Sequence, residues 1–148
     1  MATETKLRQL ADKGCPVYYF YSSERYLVRQ AVAAATRILT ADSDEDATVL
    51  DGAAPEIEQL IMAAGTISFF GTRRVVVLPE IDPAAYSDKD LEELNSTLSS
   101  LENAVVVLGS VFELERSKLK TGKRAQKLIA QCKALGYTEE LAKPKPFE

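Results

Sequence analysis

Three runs of this chain carry nothing but apolar or aromatic side chains: Val17-Tyr18-Tyr19-Phe20-Tyr21, Val75-Val76-Val77-Leu78 and Ala104-Val105-Val106-Val107-Leu108. A strand with one wet face alternates polar and apolar residues. An unbroken run of this length belongs instead to a strand covered on both sides. Strands of that kind are found in parallel sheets with helices above and below, which leaves few folds open to the chain.

Between these runs the hydrophobic period becomes helical. Residues 3–13 predict a short helix with Leu7, Leu10 and Ala11 on one face, stopped by Gly14. Ser22 and Ser23 offer an N-cap to a helix over 26–39, striped by Leu27, Ala31, Ala34 and Ile38. Thr48 to Leu50 forms a second short strand after the acidic turn Asp42–Asp46. Pro55 suits the first position of a helix whose Ile57, Leu60, Ile61 and Ala64 share a face, ended by Gly65. Ser87 and Asp90 resemble a capping box before Leu91, Leu94, Leu98 and Leu101. A basic helix from about Lys120 to Lys133 turns Ala125, Leu128, Ile129 and Cys132 inward, and residues 135–138 give a last strand. The alternation of strand and helix predicts an α/β fold, a three-layer parallel sheet with helices on both faces.

The 148 residues fit one domain. No apolar run approaches the ~20 residues of a membrane span, and the N-terminus has no signal-peptide core, so the expectation is a cytoplasmic protein with no membrane contact. The chain has no histidine, which removes Ser-His-Asp and Cys-His nucleophile systems and the usual zinc ligand sets. Cys15 and Cys132 are expected to be buried thiols. Charge is distributed unevenly: residues 40–115 hold 16 acidic and three basic side chains, whereas residues 116–133 hold seven basic and none acidic. Lys120, Lys123, Arg124 and Lys127 read as one stripe on the basic helix, either a solvated face or a contact for DNA or an acidic partner.

The first strand-to-helix turn is where such folds hold phosphate. Here it reads Tyr21-Ser22-Ser23-Glu24-Arg25, without glycine or a Gly-Lys-Ser/Thr triplet and with a glutamate where phosphate would sit, which speaks against nucleotide binding. The acidic turn at 42–46 lacks the glycine and final glutamate of a calcium loop. Glu80 and Asp82 follow a central strand, where a Walker B acid would sit, and with no phosphate loop to serve they read as turn residues. No catalytic constellation is present, and neither a cofactor nor a metal is expected.

The stretch from Thr66 to Pro79 stands apart. Phe69 and Phe70 are adjacent, followed by Gly71 and two arginines. Neighbouring residues on a turn or short helix point in different directions, so either one ring meets solvent or a partner, or both fold back onto the sheet. The residues 17–28 (Val-Tyr-Tyr-Phe-Tyr-Ser-Ser-Glu-Arg-Tyr-Leu-Val), 68–78 (Ser-Phe-Phe-Gly-Thr-Arg-Arg-Val-Val-Val-Leu) and 104–108 resemble, in order and spacing, the N-terminal domain of the delta subunit of the bacterial DNA polymerase III clamp loader.

That resemblance covers nearly the whole chain. It implies an AAA+/P-loop NTPase-like fold with a degenerate phosphate loop. It implies a domain over 1–142, with 143–148 the start of a linker to absent lid and collar domains. Its implied function is to bind the sliding clamp (beta subunit) and hold the ring open during DNA replication, as a non-enzymatic part of a DNA-directed DNA polymerase. The clamp-binding pair maps onto Phe69 and Phe70, with Ile67, Gly71 and Arg73 around it. The family commonly has Leu-Phe there, so Phe69 is a mild departure. Other implied partners are the gamma/tau and delta prime subunits, through the absent domains, and primer–template DNA indirectly. The alternatives are an active AAA+ nucleotide hydrolase and a scaffold domain whose phenylalanine pair is buried.

Overall fold

The computed structural model describes residues 4–41, 46–65 and 73–142. The elements follow as α1 (Glu4–Asp12), β1 (Val17–Ser22), α2 (Arg25–Thr40), β2 (Thr48–Val49), α3 (Ile57–Gly65), β3 (Arg74–Leu78), α4 (Asp88–Ser99), β4 (Ala104–Val111), β5 (Glu113–Glu115), β6 (Lys118–Lys120), α5 (Gly122–Leu135) and β7 (Tyr137–Glu140). Five strands form one parallel sheet in the order β2-β3-β4-β1-β7, with Val106 opposite both Val17 and Val76. Its outer strands have two and four residues, which limits exposed edge.

Side-chain alternation divides each central strand between two cores. Tyr18, Phe20, Val75, Val77, Val105 and Val107 pack under α1 and α2. Val17, Tyr19, Val76, Leu78, Val106 and Leu108 pack under α3, α4 and α5. Both sets are buried, which is why the three runs contain no polar residue. The expected α/β architecture and the capping of α4 are observed; Ser87 Oγ accepts the Asp90 N–H at 3.1 Å.

Several local expectations need correction. The N-cap of α2 is Glu24, not Ser22 or Ser23, because Ser22 is drawn into the core and bonds elsewhere. Pro55 lies two residues before α3; its carbonyl accepts the Tyr86 hydroxyl at 2.8 Å, a contact that holds it in the connection. The last strand begins at Tyr137 because α5 continues to Leu135. Lys120 is not helical. It ends a β-hairpin, β5–β6, in which Glu113 faces Lys120 and Glu115 faces Lys118, with Arg116 and Ser117 at positive φ in the two-residue turn. The turn Asp42–Glu45 and the tail 143–148 lie outside the described residues.

Gly109 sits where α2 crosses β4. A Cβ there would stand 2.4 Å from the Pro79 carbonyl oxygen and 2.8 Å from Val28 Cγ1. Gly109→Ala is therefore expected to cost about 1–3 kcal/mol or more, read from the urea midpoint. Stability should also fall in alkali. Burial, with Asp90 nearby, raises the Tyr86 hydroxyl from 10.0 to about 12. Burial likewise raises the Cys132 thiol from 9.0 to about 12. Both groups bind their protons more tightly when folded. Their contribution is complete below pH 9 and declines as pH rises toward 12, so urea midpoints at pH 8, 9.5 and 11 should descend in that order.

Candidate functional site

The sheet offers two ends. At its C-terminal end, between β1 and β4, connections leave in opposite directions and open α/β sheets ordinarily receive ligands. Here the chain closes that position with its own bonds. Ser22 Oγ donates to the Leu141 carbonyl at 2.6 Å and accepts the Glu24 N–H at 3.1 Å, so one amide of the turn is already taken. Arg25 donates to both oxygens of Glu80, at 2.7 and 3.2 Å, and ties the start of α2 to the end of β3. Asp82 accepts the Ala84 N–H at 3.0 Å in a short 3-10 turn. Glu80 and Asp82 are thus turn residues, as expected, with Glu80 also a tether. Beneath them Tyr19 donates to Ser110 Oγ at 2.7 Å, and Ser110 donates to the Ile81 carbonyl at 2.8 Å.

A groove of about 830 Å³ lies beside this turn, between the β5–β6 hairpin and α5, lined by Tyr21, Glu24, Leu114, Leu119, Lys133 and Leu141. Among the described residues no group of three or more histidine, cysteine, aspartate or glutamate side chains is placed to hold a metal ion.

The N-terminal end of the sheet is built differently. Of the predicted clamp-contact residues, Ile67, Phe69, Phe70 and Gly71 lie outside the described residues; Arg73 is described. Its guanidinium donates to the Ala104 carbonyl at 3.2 Å, and the Arg74 N–H donates to the Asn103 carbonyl at 2.8 Å. These bonds fix the start of β3 against the start of β4, so the chain enters the sheet at a rigid point directly after the phenylalanine pair.

On the other side of that segment is α3. Ile57 and Leu60 are buried, but Ile61 is 51% exposed and Met62 is 73% exposed. Ile61 was expected in the core with Ile57 and Leu60. The buried face of α3 instead centres on Leu60, with Ala63 and Ala64 also packed against the core, and leaves Ile61 at its edge. A groove of about 360 Å³ separates the ends of α3 and α4, bounded by Ile61, Ala64, Thr97, Leu101 and Asn103.

The basic stripe is not a single surface. Lys120 belongs to the hairpin. Lys123 and Lys127 are exposed on α5. Arg124 donates to Asp88 Oδ1 at 2.9 Å and to the Ala84 carbonyl at 3.3 Å, which joins α5 to the start of α4. Cys132 is buried, whereas Cys15 is only partly so.

The fold is similar to the crystal structure of a DNA polymerase III, gamma subunit-related protein from Thermotoga maritima, with a TM-score of 0.68 at 15% sequence identity; the match covers 99% of this chain and 48% of that one. This chain therefore spans about half of that protein's length. At such identity the likeness concerns the fold alone, and together with the strand order it bears out the expected α/β architecture, a parallel sheet with helices on both faces. No protein-family model matches the chain, and no curated protein matches it in sequence. Among the described residues, no helix is long and apolar enough to cross a membrane.

Ser22 is fully buried and makes two bonds in the closed turn. Ser22→Ala should cost about 1–3 kcal/mol in chemical denaturation, because it leaves the Leu141 carbonyl and the Glu24 amide without this partner.

Proposed function

We propose that this chain is the clamp-binding domain of a clamp-loader delta subunit, which docks on the sliding clamp of a DNA polymerase III and holds the ring open for loading onto DNA. The observation that carries the reading is the exposed apolar end of α3. Ile61 and Met62 face solvent immediately before a segment containing Phe69 and Phe70, and Arg73 anchors the far side of that segment to the sheet. Apolar side chains presented from a helix packed on the core form a docking surface with little ordering left to lose on binding.

The likeness to a DNA polymerase III, gamma subunit-related protein supports placing the fold among replication proteins. The self-bonded turn at Ser22–Arg25 supports a domain that neither binds nor hydrolyses nucleotide. ATP acts in partner subunits of the gamma/tau type, which assemble with this subunit and delta prime. DNA is handled by the loaded ring, and the exposed Lys123 and Lys127 of α5 offer charge to DNA or to an acidic partner.

The work done is conformational. Two aromatic side chains buried in an apolar clamp pocket supply roughly 1.5–3 kcal/mol each. Only the part of that energy realised more fully in the open clamp shifts the population toward open rings. Phe69→Ala and Phe70→Ala, folded as judged by circular dichroism, should each bind the clamp at least about tenfold more weakly, a loss of ~1.4 kcal/mol. Titration with MgATP should release no binding heat. Clamp binding unchanged in both variants would place the rings in the core and end this reading.

A further inference from the structure

Helix α4 has a groove on its other flank as well. It lies between α4 and α5, measures about 520 Å³, and is lined by Glu92, Asn95, Ser99, Lys127, Gln131 and Leu135. Asn95 is only 7% exposed, and neither its Oδ1 nor its Nδ2 has a hydrogen-bond partner. Its neighbours in α4 at the core, Leu91, Leu94 and Leu98, are all buried leucines. An amide in such a place is costly while both donor and acceptor are unmade, and a fourth leucine would avoid the cost. The exposed hydroxyls nearby are already engaged: Ser99 donates to the Asn95 carbonyl at 2.6 Å, Ser100 to that of Ser96 at 2.8 Å and Thr97 to that of Glu93 at 2.8 Å. They leave α4 a low ridge, with Ser96 lining the groove on each side.

We propose that the C-terminal half of α4, with its two grooves, is a second docking surface for the sliding clamp. An apolar side chain of a clamp segment lies in the α3–α4 groove against Ile61 and Leu101. A main-chain amide of the same segment, one N–H and one C=O, pairs with the Asn95 carboxamide after that side chain rotates toward the mouth of its groove. A polypeptide is favoured over nucleic acid because Glu102 borders the first groove, with no basic side chain among its described lining residues, while Glu92 and Lys127 offset one another in the second, and carboxylates repel phosphate. The inference rests on the clamp-docking reading above, since the first groove continues through Ile61 into the exposed end of α3.

The test is clamp binding by the whole chain as wild type, Phe70→Ala, Ser96→Arg and Asn95→Leu, with thermal melting of each. Ser96 is exposed, so arginine there fills the grooves without disturbing the core. Ser96→Arg is expected to weaken binding about tenfold and Asn95→Leu about fivefold, within the range of single interface side chains. Asn95→Leu should melt at or above the wild-type temperature. Wild-type affinity in both α4 variants, beside a weakened Phe70→Ala, would overturn this inference and leave the clamp reading standing. A lower melting temperature for Asn95→Leu would show that the amide serves the fold and would overturn its assigned role. No wild-type binding would overturn both readings.

Discussion

The pairing of β4 with β1 on one side and β3 on the other is the interaction on which the rest of the molecule depends. Seven of the eight residues of β4 are buried, and Ala104 to Leu108 pair in register with Arg74 to Leu78. A strand dry on both faces has only its two ends left for polar chemistry or recognition. Its covering layers must approach closely, and at Gly109 the backbone meets Pro79 and Val28 so tightly that no Cβ fits.

The two ends are bonded differently. At the C-terminal end, polar groups that a phosphate would have met are bonded to the chain: Ser22 to Leu141 and Glu24, Arg25 to Glu80. These contacts engage the Ser22 hydroxyl, the Glu24 N–H and the Arg25 guanidinium, groups that an anion at the start of the first helix would otherwise meet. At the N-terminal end the bonds of the described residues serve position. Arg73 and Arg74 fasten the start of β3 to the start of β4, while α3 leaves Ile61 and Met62 facing water. That contrast fits a domain that acts through what it grips.

The layered fold was legible because burial on both faces writes itself into Val75–Leu78 and Ala104–Leu108 as an absence of polar residues. The absence of a Walker loop is a fact of the sequence, since such a loop needs glycines and a lysine and Ser22–Arg25 contains neither; the bonds of Ser22 to Leu141 and Arg25 to Glu80 needed the structure. The β5–β6 hairpin was missed because its turn is Arg116-Ser117, without the Asn-Gly or Asp-Gly that signals positive φ. The mirrored Glu-Leu-Glu and Lys-Leu-Lys on either side were the signal available. Ile61 was misplaced because the apolar residues of α3 spread over more than one face, and periodicity alone does not say that the buried face centres on Leu60, Ala63 and Ala64. Asn95 was invisible for a related reason: one amide among leucines reads as a surface residue until the packing of α4 against α5 is known.

The central claim is that this chain meets the clamp with the N-terminal end of its sheet. Amide hydrogen exchange, with and without the sliding clamp of the same organism, tests it most directly. Slower exchange on clamp addition is expected in peptides spanning 57–74 and 95–103, with no change across 22–25 or 113–120. Protection confined to the hairpin and α5, or no protection at 66–72, would contradict it.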